Sequence, residues 1–237
     1  MRVRRLTSAL TPARGKHLLV HADSSRVRFC PSAGLVLTCP PFFHPKRTSS
    51  AHGQSPPIRD LDEFADWTAR ILLGASTSLK PNGLLCFVKT DVRYKRTLLP
   101  VGFRIADAVS GLGLALRAHW VWQRTKSYSP YAPSTGNIFV FGNRPSPLLS
   151  NGLFLGPDVS VQRHPSTSFT PGLFEALLLA LTERHDSVID PFAGQGSLAL
   201  AATASGRWSA SVEISLAQIR KAEVLLCRVP NLEVYRA

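Results

Sequence analysis

The stretch SVIDPFAGQGSLALAATASGRWSASVEIS, Ser187 to Ser215, leaves few folds open. Ser187 to Ile189 reads as a strand, Asp190 to Gly196 as a glycine loop, Ser197 onward as a helix, and the run to Glu213 as a second strand. Gly194 and Gly196 let the backbone turn tightly and approach another group closely. In open α/β sheets the carboxyl ends of the strands, where this loop sits, form the crevice for small molecules.

The same alternation runs through the rest of the chain. Strands are expected at His17 to His21, Leu35 to Thr38, Leu84 to Lys89, Ala118 to Arg124 and Asn137 to Gly142. The spacing of Leu61, Phe64, Trp67, Ile71 and Leu72 predicts a helix stopped near Pro81, Asn82 and Gly83. Further helices are expected within Leu98 to Arg117, within Thr170 to Arg184 with Pro171 in the first turn, and over Leu216 to Cys227, before a short tail. His44 to Pro57 and Thr125 to Gly136 read as long loops. Strands alternating with helices imply an α/β fold, a mostly parallel sheet of about seven strands covered on both faces.

The chain of 237 residues suffices for one such domain over 17–237, preceded by a basic arm at residues 1–16. Lys and Arg number 28 against 15 Asp and Glu, a formal charge of +13 that attracts polyanions such as nucleic acid. Part of it is clustered, with eight basic residues between Lys89 and Lys126 against Asp91 and Asp107. Cys30, Cys39, Cys86 and Cys227 show neither CxxC spacing nor a matching His pair, so reduced thiols in a cytoplasmic protein without a metal are expected. No apolar run reaches the ~18 residues of a membrane span, so no membrane partner is expected.

The loop Asp190 to Gly196 departs from the dinucleotide pattern. Ala199 stands where a third glycine would be, and Asp190 before the loop would repel a phosphate but hold a cationic amino acid. Glu213, at the end of the next strand, is placed for ribose hydroxyls. Two carboxylates around a Gly-x-Gly turn fit S-adenosylmethionine better than NAD, the alternative being an ordinary turn with a capping Asp.

A second motif, LTCPPFF from Leu37 to Phe43, ends the strand at Thr38 with Cys39, Pro40, Pro41 and Phe42. LTCPPFF resembles the T-S-P-P-Y/F motif of DNA amino-methyltransferases. RHPSTSFTPGLFEALLLAL resembles their His-Pro segment and following helix, and SVIDPFAGQGSLALAA their D-P-F-x-G-x-G loop. The catalytic motif precedes the cofactor loop, as in the circularly permuted β group, which acts on cytosine N4 or adenine N6. The resemblance implies a Rossmann-like S-adenosylmethionine-dependent fold with a catalytic half at 17–142, a connector at 143–163 and a cofactor half at 164–237.

It also implies roles. Cys39 and the carbonyl of Pro40 would accept the amino protons of the target base, Pro41 would stiffen the turn, and Phe42 would stack on the base once it leaves double-stranded DNA. Ser, Asp or Asn is usual where Cys39 stands, and a thiol is a weak acceptor. Cys39 is therefore read as a poorer serine, as the mark of an inactive relative, or as a covalent nucleophile. Asp190, Phe192, Gly194, Gly196 and Glu213 would hold the cofactor, with Asp23 near its adenine and His164 and Pro165 near its methionine part. Asp23 reads equally as a helix cap, and His164 as a loop histidine. Lys89 and Asp91 would line the site. Lys46, Arg47, Arg124, Lys126, Tyr128 and Tyr131 would meet DNA. Because TCPPF is one substitution from T-S-P-P-F, N4 of cytosine is the expected target, with adenine N6 or RNA and a non-catalytic binding module as alternatives. Monomer and homodimer both stay open.

Overall fold

The computed structural model describes residues 3–5, 15–29, 32–45, 57–123, 135–144, 149 and 171–236. Eleven strands occur among them: β1 (Val3–Arg5), β2 (His17–His21), β3 (Ala33–Thr38), β4 (Leu79–Lys89), β5 (Val92–Tyr94), β6 (Thr97–Leu99), β7 (Leu116–Gln123), β8 (Thr135–Phe141), β9 (Ser187–Asp190), β10 (Trp208–Glu213) and β11 (Leu232–Arg236). Five helices accompany them: α1 (Leu61–Ser76), α2 (Val101–Gly111), α3 (Pro171–Leu181), α4 (Ser197–Ala204) and α5 (Leu216–Leu225).

Nine strands form one mixed sheet in the order β1-β11-β2-β10-β9-β3-β4-β8-β7, and β5 and β6 pair separately as a hairpin. The run from β1 to β4 is parallel, whereas β8 is antiparallel to both β4 and β7. Central strands are apolar on both sides because helices cover both faces. Val36, Leu85 and Phe87 pack with Phe64 of α1 and Ile105 of α2, while Leu35, Leu37, Leu84 and Val88 pack with Leu173 and Leu177 of α3 and Leu198 of α4. α5 closes the β2 and β11 region through Ile219 and Ala222 against Leu19 and Val234.

The sheet is larger than the seven strands expected. Val3–Arg5, assigned to a basic arm, pairs with β11, which occupies the expected tail. Both segments are short and charged, and the alternation of Leu232 and Val234 in β11 is too brief to stand out in a tail. β4 also starts earlier than expected, at Leu79, and runs through Pro81, Asn82 and Gly83. Its register against β3 jumps from Ala33↔Leu79 to Leu35↔Leu84, and that irregularity accommodates a proline with no N–H to pair. The β5–β6 hairpin was not expected from the sequence.

The topology gathers the predicted motifs. β2, β10, β9, β3 and β4 are parallel neighbours, so His21, Glu213, Asp190, Thr38 and Lys89 all end strands at one edge. Asn137 pairs with Lys89, and Thr135 with Gln123, so the antiparallel strands bring their opposite ends to the same edge.

Candidate active site

The two motifs meet where β3 lies against β9. Thr38 Oγ1 donates to Asp190 Oδ1 at 2.6 Å, with both side chains buried. The backbone N–H of Phe192 donates to the same oxygen at 3.0 Å. Burial pushes the Asp190 carboxyl up to about 7, with the Glu213 charge adding to the rise, while the bonds from Thr38 and Phe192 oppose it. A carboxylate kept this far from water needs a cation or more donors to ionise fully.

Glu213 holds the glycine loop shut. Its Oε2 accepts from the Gly194 N–H at 2.8 Å and its Oε1 from the Ser215 N–H at 2.7 Å. Burial raises its pKa against those backbone bonds. The Ile214 N–H also favours the charged form, and the carboxylate retains acceptor capacity for an incoming hydroxyl. Gly194 (φ 54) and Gly196 (φ 82) both lie in the left-handed region. A Cβ on Gly196 would stand 2.8 Å from Leu226 Cδ1, whereas one on Gly194 would meet nothing within 4 Å. Gly196 is thus required by packing as well as by its backbone, and Gly194 faces open space. Phe192 sets its half-buried ring 5.8 Å from that of Trp67.

Asp23 caps the short 3-10 turn Ser24–Arg26, accepting from Ser25 N at 2.9 Å and Ser25 Oγ at 2.7 Å. The capping alternative therefore holds for it. Its neighbour Ser24, not singled out from the sequence, donates to the carbonyl of Pro191 and ties this turn to the Asp190 loop.

On the other side of Thr38, Cys39 is half-buried, and its thiol lies 3.9 Å from the carbonyl oxygen of Pro40. Phe42 is 49% exposed, while Phe43 is buried against Phe64 with ring centroids 5.3 Å apart. The exposed ring is the one free to stack on a ligand. Lys89, fully buried, reaches under this segment: its Nζ donates to Pro40 O at 3.1 Å and to the carbonyl of Pro41, and lies 4.9 Å from the Phe42 ring centre. Burial lowers its pKa to about 8, although Cys39 and Asp91 favour its charge. Asp91 accepts from the Gly102 N–H and from Asn137 Nδ2, both at 3.4 Å, and burial raises its pKa.

The structure thus brings together Cys39, Pro40, Pro41, Phe42, Asp190, Phe192, Gly194, Gly196 and Glu213, with Asp23 close by. Lys46, Arg47, Arg124, Lys126, Tyr128, Tyr131, His164 and Pro165 lie outside the described residues. Thr38 was missed as a site residue because a threonine at a strand end reads as ordinary β-branched filling. Among the described residues no three His, Cys, Asp or Glu side chains cluster as a metal site, and no helix is long and apolar enough to cross a membrane.

Comparison with known proteins agrees with this layout. The DNA methylase family model, covering N6 and N4 methyltransferases, matches residues 134–224. TTHA0409 of Thermus thermophilus, assigned as a DNA modification methylase, superposes with a TM-score of 0.72 at 24% identity over 93% of this chain and 100% of its own. Its complex with S-adenosyl-L-methionine superposes with a TM-score of 0.68 at 26% identity over 92% and 99%. PvuII DNA methyltransferase, described as cytosine-N4-specific, shares the fold with a TM-score of 0.65 at 18% identity over 93% and 95%. Comparison with curated proteins by sequence gave no match. With the TCPPF segment and the DPFAGQG loop on adjacent strand ends, in permuted order, the chain has the fold of these DNA methylases and matches the N6/N4 DNA methylase family model over its cofactor half.

Proposed function

We propose that this protein transfers a methyl group from S-adenosylmethionine to the exocyclic N4 of cytosine in double-stranded DNA, directly and without a covalent enzyme intermediate. The carrying observation is the Thr38–Asp190 hydrogen bond, which welds the amino-binding segment of this reading to the glycine loop at one strand edge.

The residues fit such a cofactor. Asp190 and Glu213 are acceptors flanking a glycine loop, suited to an ammonium group and a hydroxyl pair, and Gly194 leaves open space between them. When bound, S-adenosylmethionine supplies an electrophilic methyl carbon on a sulfonium. The chain supplies the rest. Phe42 offers a flat face for an extruded base, and Pro40 O, held by Lys89, can take an amino proton in place of its weak contact with the Cys39 thiol. Cys39 Sγ offers a second, weaker acceptor. Drawing the amino protons toward these acceptors returns the nitrogen lone pair from the ring, so that nitrogen forms the new N–C bond as the C–S bond breaks and one proton leaves to solvent.

The choice of cytosine rests on the resemblance of TCPPF to T-S-P-P-F. The test is expression in a host lacking DNA methylation, followed by mass spectrometry of the digested DNA. N4-methylcytosine is expected. N6-methyladenine would overturn the base assignment while keeping the chemistry, and 5-methylcytosine alone would overturn direct transfer. Absence of any modified base, with cofactor and DNA both bound, would instead favour a binding module.

A further inference from the structure

The hairpin that follows Lys89 is built against local preference. β5 and β6 are joined by Lys95 and Arg96 alone, and both take positive φ, 46° and 66°. Two adjacent left-handed residues are the signature of a type I′ turn, which strongly favours Asn-Gly. Lys and Arg carry a Cβ that this backbone disfavours, and nothing in the core requires them, because both are exposed. Strained backbone at an exposed position directs attention to what the side chains do.

The rest of the hairpin separates anchor from tip. Val92 and Leu99 pair across its base and pack against the core with α1 and α2. Arg93 and Leu98 pair on the exposed face, Leu98 being 51% exposed. Arg93, Lys95 and Arg96 have no acidic partner among the described residues. The ribbon leaves the sheet from Asp91, two residues after Lys89, at the strand-end edge that carries Cys39 and Phe42. A two-stranded ribbon is of a size to enter a DNA groove or ride on its backbone.

We infer that the β5–β6 hairpin is a DNA-contacting element, with Lys95 and Arg96 at its turn, backed by Arg93, meeting duplex phosphates beside the site of methyl transfer. The inference rests on the methyltransferase reading above. Phosphate contacts of this kind position the duplex and carry no sequence information themselves.

The turn offers a variant that improves the fold while removing the contact. Lys95→Asn/Arg96→Gly restores the preferred I′ pair, so its melting temperature should equal or exceed wild type. Binding to a short random-sequence duplex is then titrated at several salt concentrations. Two lost phosphate contacts should flatten the slope of log K against log salt by about 1.8. Arg220→Gln/Lys221→Gln on α5 removes the same charge from another exposed surface and should leave the slope near wild type. A wild-type slope for the hairpin variant, or an equal loss in the α5 variant, would overturn the inference. Methyl transfer by the wild-type protein, assayed on the same duplexes, reports separately: its absence alongside a hairpin-specific slope change would sink the functional reading and leave the DNA contact standing.

Discussion

Thr38 Oγ1 and Asp190 Oδ1 stand 2.6 Å apart across the β3–β9 seam, joining residues 152 positions apart in sequence. A hydroxyl that donates to a buried carboxylate lowers the cost of ionising it. Thr38→Val keeps the shape and removes the donor. Hydrogen bonds to charged groups contribute about 1.5–3 kcal/mol, so S-adenosylmethionine affinity should fall about tenfold or more. Calorimetric titration checks this, and an unchanged dissociation constant would count against Asp190 acting in the ionised form.

Asp190 itself ties stability to pH. Its carboxyl is raised from 3.8 to about 7, so the folded state holds the proton more tightly than the unfolded state. The corresponding stability is present in full below about pH 4 and is lost as pH rises through 7. Asp190→Asn, always neutral, should match wild type near pH 4 and exceed it by about 1–4 kcal/mol at pH 8. The same variant should bind S-adenosylmethionine much more weakly. Denaturant melts at the two pH values, with binding at the higher one, test both halves.

Lys89 holds the acceptor segment from below. Its ammonium is retained up to about pH 8, and it donates to the carbonyls of Pro40 and Pro41. Wild-type turnover should therefore decline as pH rises through about 8. Lys89→Met should be roughly tenfold slower, a rise of about 1.4 kcal/mol in the barrier, and lack that decline. S-adenosylmethionine binding should change little. A Met variant that retains the high-pH decline would assign it to another group.

For Cys39 the expected outcome is a gain or no change. A serine hydroxyl accepts hydrogen bonds better than a thiol. Cys39→Ser should keep or raise kcat, and abolition of activity would instead point to a covalent nucleophile. Single-turnover methyl transfer to duplex DNA distinguishes the two.

Sequence reasoning reached the two motifs, their order and their strand ends because each is a contiguous run whose chemistry is local: a glycine loop after a strand, prolines after another. It missed what depends on distance. Thr38 gains its meaning only from Asp190, and Lys89, though expected to line the site, shows its role only through carbonyls 48 and 49 residues earlier. Asp23 was legible as a turn residue, and the turn uses it as a cap, while Ser24 makes the contact to Pro191. β1 is three residues with two charges, and β11 shows its alternation only in Leu232 and Val234, too short a run to mark a strand. The hairpin went unseen because Lys-Arg replaces the Asn-Gly that announces such a turn.

The strand order also governs how the molecule comes into being. β2 and β3 are separated by only 11 residues in the chain, yet in the sheet β10 and β9 stand between them. A growing chain has made β2, β3 and β4 long before the strands that fill that slot exist. Until the last third arrives, two apolar strand edges await partners that are not yet synthesised, and contacts of such long sequence separation form slowly. Completion of the core and completion of the site are then one event: no partly assembled species presents both Thr38 and Asp190 in register, and the edge open in the meantime is where misassembly would begin.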